Sequence, residues 1–123
     1  MSNLSLISVV DDDASVRESL RCLIRSVGFA VEAFASAEEF LKSDHLHNTR
    51  CLILDVRMPG MNGLELQRRL AAGHRKIPVI FITAHGIGAA RSQALKDGAV
   101  DYLFKPFCEE ALFHAINAAL NSS

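Results

Sequence analysis

The sequence lacks the features that mark secreted, fibrous and membrane proteins. Its 123 residues include three cysteines, an odd number without CxxC spacing, three prolines and no tryptophan. Such cysteine usage indicates reduced thiols in a cytoplasmic protein and argues against a disulfide framework. No stretch reaches the roughly 18 consecutive apolar residues of a membrane span. The first residues contain no basic segment followed by a long apolar one. We therefore expect a protein that is neither exported nor membrane-spanning.

The sequence also lacks a strong charge of either sign. Its 13 lysines and arginines and 14 aspartates and glutamates give a net charge of -1. No strong positive field would therefore attract nucleic acid or an anionic membrane. Half of the residues are hydrophobic and 22% are charged, which is typical of an ordered globule. A chain of this length predicts one domain, residues 1–123, with a single core.

Apolar runs of strand length alternate with segments of helical periodicity. The predicted strands are Leu6–Val10, Phe29–Ala35, Cys51–Asp55, Ile77–Ile82 and Val100–Phe104. The predicted helices are Ala14–Val27, Ser36–Leu41, Asn62–Gly73, Ala89–Lys96 and Ala111–Leu120. Right-handed crossovers turn this alternation into an α/β fold, in which a five-stranded parallel sheet is covered by five helices on both faces. We take the strands in the flavodoxin-like doubly wound order 2-1-3-4-5.

The first predicted helix has clear end signals. Asp13 is a candidate N-cap, Ser15 and Glu18 form a candidate capping box, and Gly28 suits the position just past the end.

The remaining helices differ in how much apolar surface they offer. In the third, Gln67, Arg68 and Arg69 are predicted to face outward. The fourth, Ala89–Lys96, has a thin apolar face, and we expect it to be the most mobile element because it has little to bury.

The polar connection 44–49 contains two histidines, which are interpreted as surface residues rather than metal ligands because no cysteine or carboxylate stands at a matching spacing.

Polar side chains stand at the carboxyl ends of four predicted strands. They are Asp11 and Asp12 after the first strand, Asp55 at the end of the third, Thr83 after the fourth and Lys105 after the fifth. A lone aspartate at a strand end is usually a turn former or a helix cap. Four polar strand ends together indicate a site, because the carboxyl edge of an open α/β sheet is where ligands bind.

This combination of side chains predicts a particular chemistry. Asp11, Asp12 and Asp55 would converge, because the first and third strands are neighbours in the assumed order. Clustered carboxylates repel one another, and a hard cation such as Mg²⁺ would compensate. With a hydroxyl at Thr83 and an ammonium at Lys105, the site is equipped for phosphoryl transfer to Asp55.

The motifs that carry these residues resemble the receiver domain of bacterial two-component response regulators. The resemblance covers essentially the whole chain and is most similar to the FixJ-type subgroup. It lies in Val9-Val10-Asp11-Asp12, Asp55-Val56-Arg57-Met58-Pro59-Gly60, Thr83-Ala84, Gly98-Ala99-Val100-Asp101-Tyr102 and Lys105-Pro106-Phe107.

The resemblance implies a receiver fold and specific roles in metal and phosphoryl binding. Asp55 would accept a phosphoryl group from a histidine kinase. Asp12 and Asp55 would ligate Mg²⁺ directly, with Mn²⁺ able to replace it. The backbone carbonyl of Arg57 would be a third ligand, and Asp11 would act through water. Such a domain is not an enzyme in the usual sense, because it catalyses only its own magnesium-dependent phosphorylation and dephosphorylation.

The resemblance also implies a switch. Thr83 and Lys105 would bind the phosphoryl oxygens, and Tyr102 would turn inward as Thr83 moves toward the phosphate. The Lys105–Pro106 peptide bond would be cis, which X-Pro bonds adopt at modest cost. Phosphorylation would favour a homodimer through the face of the fourth helix and fifth strand. The output would be transcriptional, through a domain not present in this chain, so no direct nucleic-acid binding is expected of residues 1–123.

Three other interpretations fit parts of the sequence less well. Asp11-Asp12-Asp13-Ala14-Ser15 loosely resembles the nucleophile loop of haloacid-dehalogenase-like phosphatases, but Ser15 replaces the expected Thr or Val, and we expect no later acidic pair to supply the metal ligands. A flavodoxin-like FMN site would need a Ser/Thr/Gly-rich loop after the first strand, where three acidic residues would instead repel phosphate. A scaffold receiver that never turns over phosphate ranks lower, because every required group is present.

Overall fold

The computed structural model describes residues 5–73, 76–83, 88–105 and 108–121, within which five strands alternate with five α-helices. The strands are β1 Leu6–Val10, β2 Ala30–Phe34, β3 Thr49–Asp55, β4 Val79–Thr83 and β5 Asp101–Phe104. The helices are α1 Ala14–Ser26, α2 Ala37–Lys42, α3 Gly63–Ala72, α4 Gly88–Lys96 and α5 Glu109–Asn121. A short 3-10 helix, Asp44–His47, precedes β3.

The sheet is parallel and has the order β2-β1-β3-β4-β5, which confirms the prediction. Its register aligns the carboxyl ends of the central strands. Val10 pairs with Leu54, and Asp55 pairs with Ile82, so the ends of β1, β3 and β4 lie at one level. Every side chain that follows these strands is therefore delivered to the same edge of the sheet.

The core has two layers, one on each face of the sheet. The layer beneath α2, α3 and α4 contains Phe40, Leu66, Leu70, Phe81 and Tyr102. The layer beneath α1 and α5 contains Leu20, Ile24, Leu112 and Ile116. The apolar run of β3 serves both layers, because successive side chains of a strand point to opposite faces. Leu52 and Leu54 enter the first layer, whereas Cys51 and Ile53 enter the second.

The ends of α1 agree in part with the sequence signals. Asp13 is the N-cap, and its carboxylate accepts hydrogen bonds from the backbone N–H groups of Ser15, at 2.8 Å, and Val16. Ser15 therefore occupies a position inside the helix, and the predicted capping box with Glu18 is wrong. Gly28 lies just past the end with φ of +99°, as expected for a residue in the left-handed region.

A capping box instead closes the start of α3. The Asn62 side chain accepts a hydrogen bond from the Glu65 backbone N–H, and the Glu65 side chain accepts one from the Asn62 backbone N–H.

Gln67 does not face outward as predicted. Its side chain is buried, with 5% of the residue exposed, and Nε2 donates a hydrogen bond of 3.1 Å to the Ala94 carbonyl oxygen of α4. The helical pattern could not reveal this contact, because it depends on where α4 lies. Arg68 and Arg69 are exposed as expected.

The connection before β3 is more ordered than its polar composition suggested. The 3-10 helix inserts Leu46 into the first core layer. Thr49 begins β3 and donates its hydroxyl to the His45 carbonyl oxygen at 2.7 Å, while Ser8 of β1 donates to Thr49 Oγ1 at 2.7 Å. This buried polar pair extends β3 two residues beyond the predicted start.

The three cysteines, Cys22, Cys51 and Cys108, are free thiols. Among the helices of the described residues, none combines the length and the apolar character that crossing a membrane requires.

Candidate functional site

Three carboxylates meet at the carboxyl edge of the sheet. Asp11, Asp12 and Asp55 each place one oxygen so that all three oxygens lie within 4.8 Å of one another. Asp11 and Asp55 are buried and Asp12 is exposed. The cluster forms because β1 and β3 are neighbours and end at the same level. This set of hard oxygen donors fits Mg²⁺, which combines one or two carboxylates with water in an octahedral shell.

Asp11 is held by three groups. Its Oδ2 lies 3.1 Å from the Lys105 ammonium, and its Oδ1 accepts a hydrogen bond of 2.9 Å from the Asp13 backbone N–H. Its backbone carbonyl accepts a hydrogen bond of 2.8 Å from Arg17 Nη1. Sequence reasoning did not find Arg17. The available signal was its place in the first turn of α1, because helical side chains lean back toward the N-terminus.

Asp55 lies in an environment that disfavours its charge. Burial first, and then the neighbouring carboxylate of Asp11, raise its pKa from 3.8 to about 6, although Lys105 and the backbone N–H of Arg57 act in the opposite direction. That N–H lies 3.4 Å from Asp55 Oδ1. A carboxylate that is 7% exposed and faces like charge gains from a bound cation.

The ends of β4 and β5 complete the edge. Thr83 is buried, and its backbone carbonyl accepts a hydrogen bond of 2.7 Å from the Lys105 backbone N–H. The end of β5 is thus tied to the end of β4, and Lys105 projects toward the acidic cluster. The structure brings Asp11, Asp12, Asp55 and Lys105 together. Thr83 lies at the end of β4, between the ends of β3 and β5.

Tyr102 points into the protein. Its ring packs against Phe81, with a centroid distance of 5.9 Å, and makes an edge contact with Phe104 at 5.4 Å. Burial, followed by the charge of Asp55, raises the pKa of the phenol. Within the described part of the chain its buried hydroxyl has no hydrogen-bond partner. A buried polar atom without a partner is unusual in a native protein.

The loop from β3 to α3 packs closely against the site. The Gly63 backbone N–H donates a hydrogen bond of 3.0 Å to the Val56 carbonyl oxygen. A Cβ atom at Gly63 would overlap the Asp55 carbonyl oxygen and press on the ring of Phe81. Only glycine therefore lets α3 begin this close to the end of β3. An open groove beside the site is lined by Val56, Arg57, Met58, Pro59 and Asn62.

The predicted cis peptide bond between Lys105 and Pro106 involves a residue outside the described ranges, and it stays a prediction. Ala84, the second residue of the Thr83-Ala84 motif, also lies outside the described ranges.

Comparison with known proteins decides the family. The model of the response regulator receiver domain matches residues 7–117. The chain belongs to this receiver domain family.

Curated receiver-containing proteins resemble the chain along nearly its whole length. The response regulator protein TodT of Pseudomonas putida is 50% identical over 116 residues, which cover 94% of this chain and 51% of TodT. The transcriptional regulatory protein FixJ of Bradyrhizobium diazoefficiens is 39% identical over 123 residues, which cover all of this chain and 60% of FixJ. The receiver domain described here thus spans about half the length of these relatives.

Solved structures show the same fold. FixJ-N superposes with a TM-score of 0.88 at 38% identity, covering 100% of this chain and 98% of that one. The response regulator StyR gives a TM-score of 0.88 at 51% identity, covering 94% of this chain and 59% of that one. The FixJ-type resemblance of the sequence agrees with the matches to FixJ and FixJ-N.

Proposed function

We propose that this receiver domain accepts a phosphoryl group from a histidine kinase on Asp55, with Mg²⁺ as cofactor. The observation that carries the proposal is the meeting of three carboxylate oxygens within 4.8 Å beside a lysine ammonium 3.1 Å from Asp11. Carboxylates supply the nucleophile and the metal ligands, and the ammonium supplies charge for the phosphoryl oxygens.

The chain's own residues have distinct tasks in this reaction. An Asp55 carboxylate oxygen bonds to phosphorus as the bond from phosphorus to the kinase histidine nitrogen breaks, which leaves an acyl phosphate. Asp12, Asp55 and the Arg57 carbonyl would hold Mg²⁺, and Asp11 would act through water. When bound, the ion neutralises charge on the transferred oxygens. Lys105 and Thr83 would bind those oxygens from the neighbouring strand ends.

The same residues connect the site to the face formed by α4 and β5. The new charge at Asp55 would draw Thr83 and Lys105, and the backbone hydrogen bond between these two residues links β4 to β5. Tyr102 already lies inward. The receiver resemblance implies this orientation for the phosphorylated form. Its neighbour Phe104 is 42% exposed and offers an apolar contact for a second copy of the chain.

The output of this receiver domain would come from a separate part of a longer protein. The aligned residues cover only 51% of TodT and 60% of FixJ, and FixJ is named as a transcriptional regulatory protein. We therefore propose transcriptional control through an output domain, with the receiver itself making no direct nucleic-acid contact. The net charge of -1 agrees with this division.

Intact mass after incubation with a small phosphodonor tests the acceptor. Wild type should gain a single phosphoryl group only when Mg²⁺ is present, and Asp55→Asn should gain none. No gain with either protein would instead favour a scaffold that never turns over phosphate.

Sedimentation velocity tests the dimer. The phosphorylated protein should dimerise, and Phe104→Ala should weaken the dimer. Val27→Ala is the matched control, because Val27 is also a large exposed apolar side chain, 49% exposed, but lies at the end of α1. A phosphorylated protein that stays monomeric at high concentration would contradict the dimer.

A further inference from the structure

Glu38 of α2 reaches the loop that follows Asp55. Its Oε2 accepts a hydrogen bond of 3.2 Å from the backbone N–H of Met61, 23 residues further along the chain. The contact joins a helix that carries none of the proposed site residues to the loop that carries Arg57.

The neighbouring acidic residue has a different task. Glu39 accepts a hydrogen bond of 3.2 Å from the Ala35 backbone N–H, while Ser36 caps the Glu39 backbone N–H at 3.1 Å. Ser36 is thus the N-cap of α2, and the Glu39 side chain bonds to the backbone of the residue before that cap. Glu38 is therefore not needed to start the helix, and its carboxylate is directed to the loop.

Gly60 shows how closely Glu38 approaches. A Cβ atom at this position would lie 2.9 Å from Glu38 Oε2, and the backbone has φ of +76°. The turn at Gly60 thus brings the Met61 N–H to the carboxylate. A side chain at position 60 would displace the Glu38 carboxylate.

The loop is also held at its two ends. The Arg57 N–H lies 3.4 Å from Asp55 Oδ1, and the Gly63 N–H donates to the Val56 carbonyl. The hydrogen bond from Met61 to Glu38 of α2 restrains the loop at a further point, from another element. The Arg57 carbonyl lies between these points. As a proposed metal ligand, it must keep its distance to the ion within a few tenths of an ångström.

We propose that Glu38 is a positioning residue for the metal site, acting through its hydrogen bond to Met61 rather than through its charge. The proposal rests on the proposed magnesium site. Partners that orient metal ligands from outside the coordination shell are a general requirement of metal sites.

Calorimetric titration with Mg²⁺ tests this inference on wild type, Glu38→Ala, Glu38→Gln and Glu110→Ala. Glu38→Ala should raise the Mg²⁺ dissociation constant about 3-fold to 10-fold, because an exposed hydrogen bond is lost. Glu38→Gln keeps an acceptor oxygen and should stay within about 2-fold of wild type. Glu110→Ala is the matched control, because Glu110 is also an exposed acidic residue at the second position of its helix.

Phosphorylation at increasing Mg²⁺ provides a second readout. Glu38→Ala should need more Mg²⁺ for half-maximal phosphorylation yet reach the wild-type rate at saturation. A purely structural role would lower the stability of Glu38→Ala and leave its Mg²⁺ affinity unchanged.

Equal weakening in Glu38→Ala and Glu38→Gln would overturn the inference, because charge would then be responsible. Unchanged affinity in Glu38→Ala would also overturn it, while leaving the magnesium site intact. A wild-type protein that binds no Mg²⁺ would overturn both proposals.

Discussion

Replacing Asp55 by asparagine should stabilise the magnesium-free protein at neutral pH. The folded chain holds the Asp55 pKa at about 6 instead of 3.8, chiefly through burial and secondly through the charge of Asp11. Ionising this carboxyl in the folded state therefore costs free energy that the unfolded chain does not incur. Asparagine has the same shape and no charge, and its amide can donate hydrogen bonds to the neighbouring carboxylates.

The shift gives the size and the pH window of the effect. The difference between 3.8 and about 6 is about two pKa units, which at roughly 1.4 kcal/mol per unit is about 3 kcal/mol. Well below pH 3.8 the carboxyl is protonated in both the folded and the unfolded state and does not affect stability. As the pH rises from about 3.8 to about 6, the unfolded chain ionises first, so the free energy of unfolding of wild type falls, whereas that of Asp55→Asn does not. The gain should therefore be about 2–3 kcal/mol at pH 7.5 and close to zero near pH 3.5.

Urea unfolding followed by far-ultraviolet circular dichroism measures this gain, since the chain has no tryptophan. Both proteins are compared in EDTA across the pH range, and again with Mg²⁺. The ion should stabilise wild type more than Asp55→Asn and reduce the gap between them.

Asp44→Asn is the matched control, because Asp44 is exposed and should change stability by less than about 0.5 kcal/mol. Equal stability of wild type and Asp55→Asn at pH 7.5, or a gain that persists at low pH, would refute the reasoning.

Three other substitutions test contacts around the site. Lys105→Ala should destabilise the magnesium-free protein by about 1–3 kcal/mol, because buried Asp11 loses its cation. An unchanged urea midpoint would show that this ion pair contributes nothing. Gly63→Ala should cost at least about 2 kcal/mol in thermal unfolding, because its Cβ would overlap the Asp55 carbonyl. A fully stable variant would contradict that close approach. Gln67→Met should change stability by less than about 1 kcal/mol, because losing the Nε2 hydrogen bond to Ala94 is offset by removing a buried Oε1 without a partner in the described structure. A loss above about 2 kcal/mol on urea unfolding would contradict this offset.

The strand ends were predictable because they depend on local chemistry and on simple topology. The apolar run before Asp55 marks a buried strand, and the Pro59–Gly60 turn stops it. Once β1 and β3 are neighbours, Asp11 and Asp55 must lie close together, whatever the details of packing.

Contacts between elements were not predictable in the same way. Gln67 lies in a polar stretch of α3, and its burial depends on the position of α4. Arg17 and Glu38 each form a hydrogen bond with a backbone atom of a loop, Asp11 and Met61 respectively. Contacts to backbone atoms cannot be predicted from a pattern of side chains. The register shift between Leu6 and Ile7, where β1 pairs with the start of β3, also depends on tertiary structure.

The most direct test of the proposed function is to locate the phosphoryl group. Phosphorylated protein would be treated with borohydride, which reduces an acyl phosphate to an alcohol, and its peptides would be analysed by mass spectrometry. We expect aspartate to be converted to homoserine at position 55 alone, and only in samples phosphorylated with Mg²⁺. Conversion at Asp11, Asp12 or Asp13 would place the nucleophile in the first acidic loop and contradict Asp55 as the acceptor.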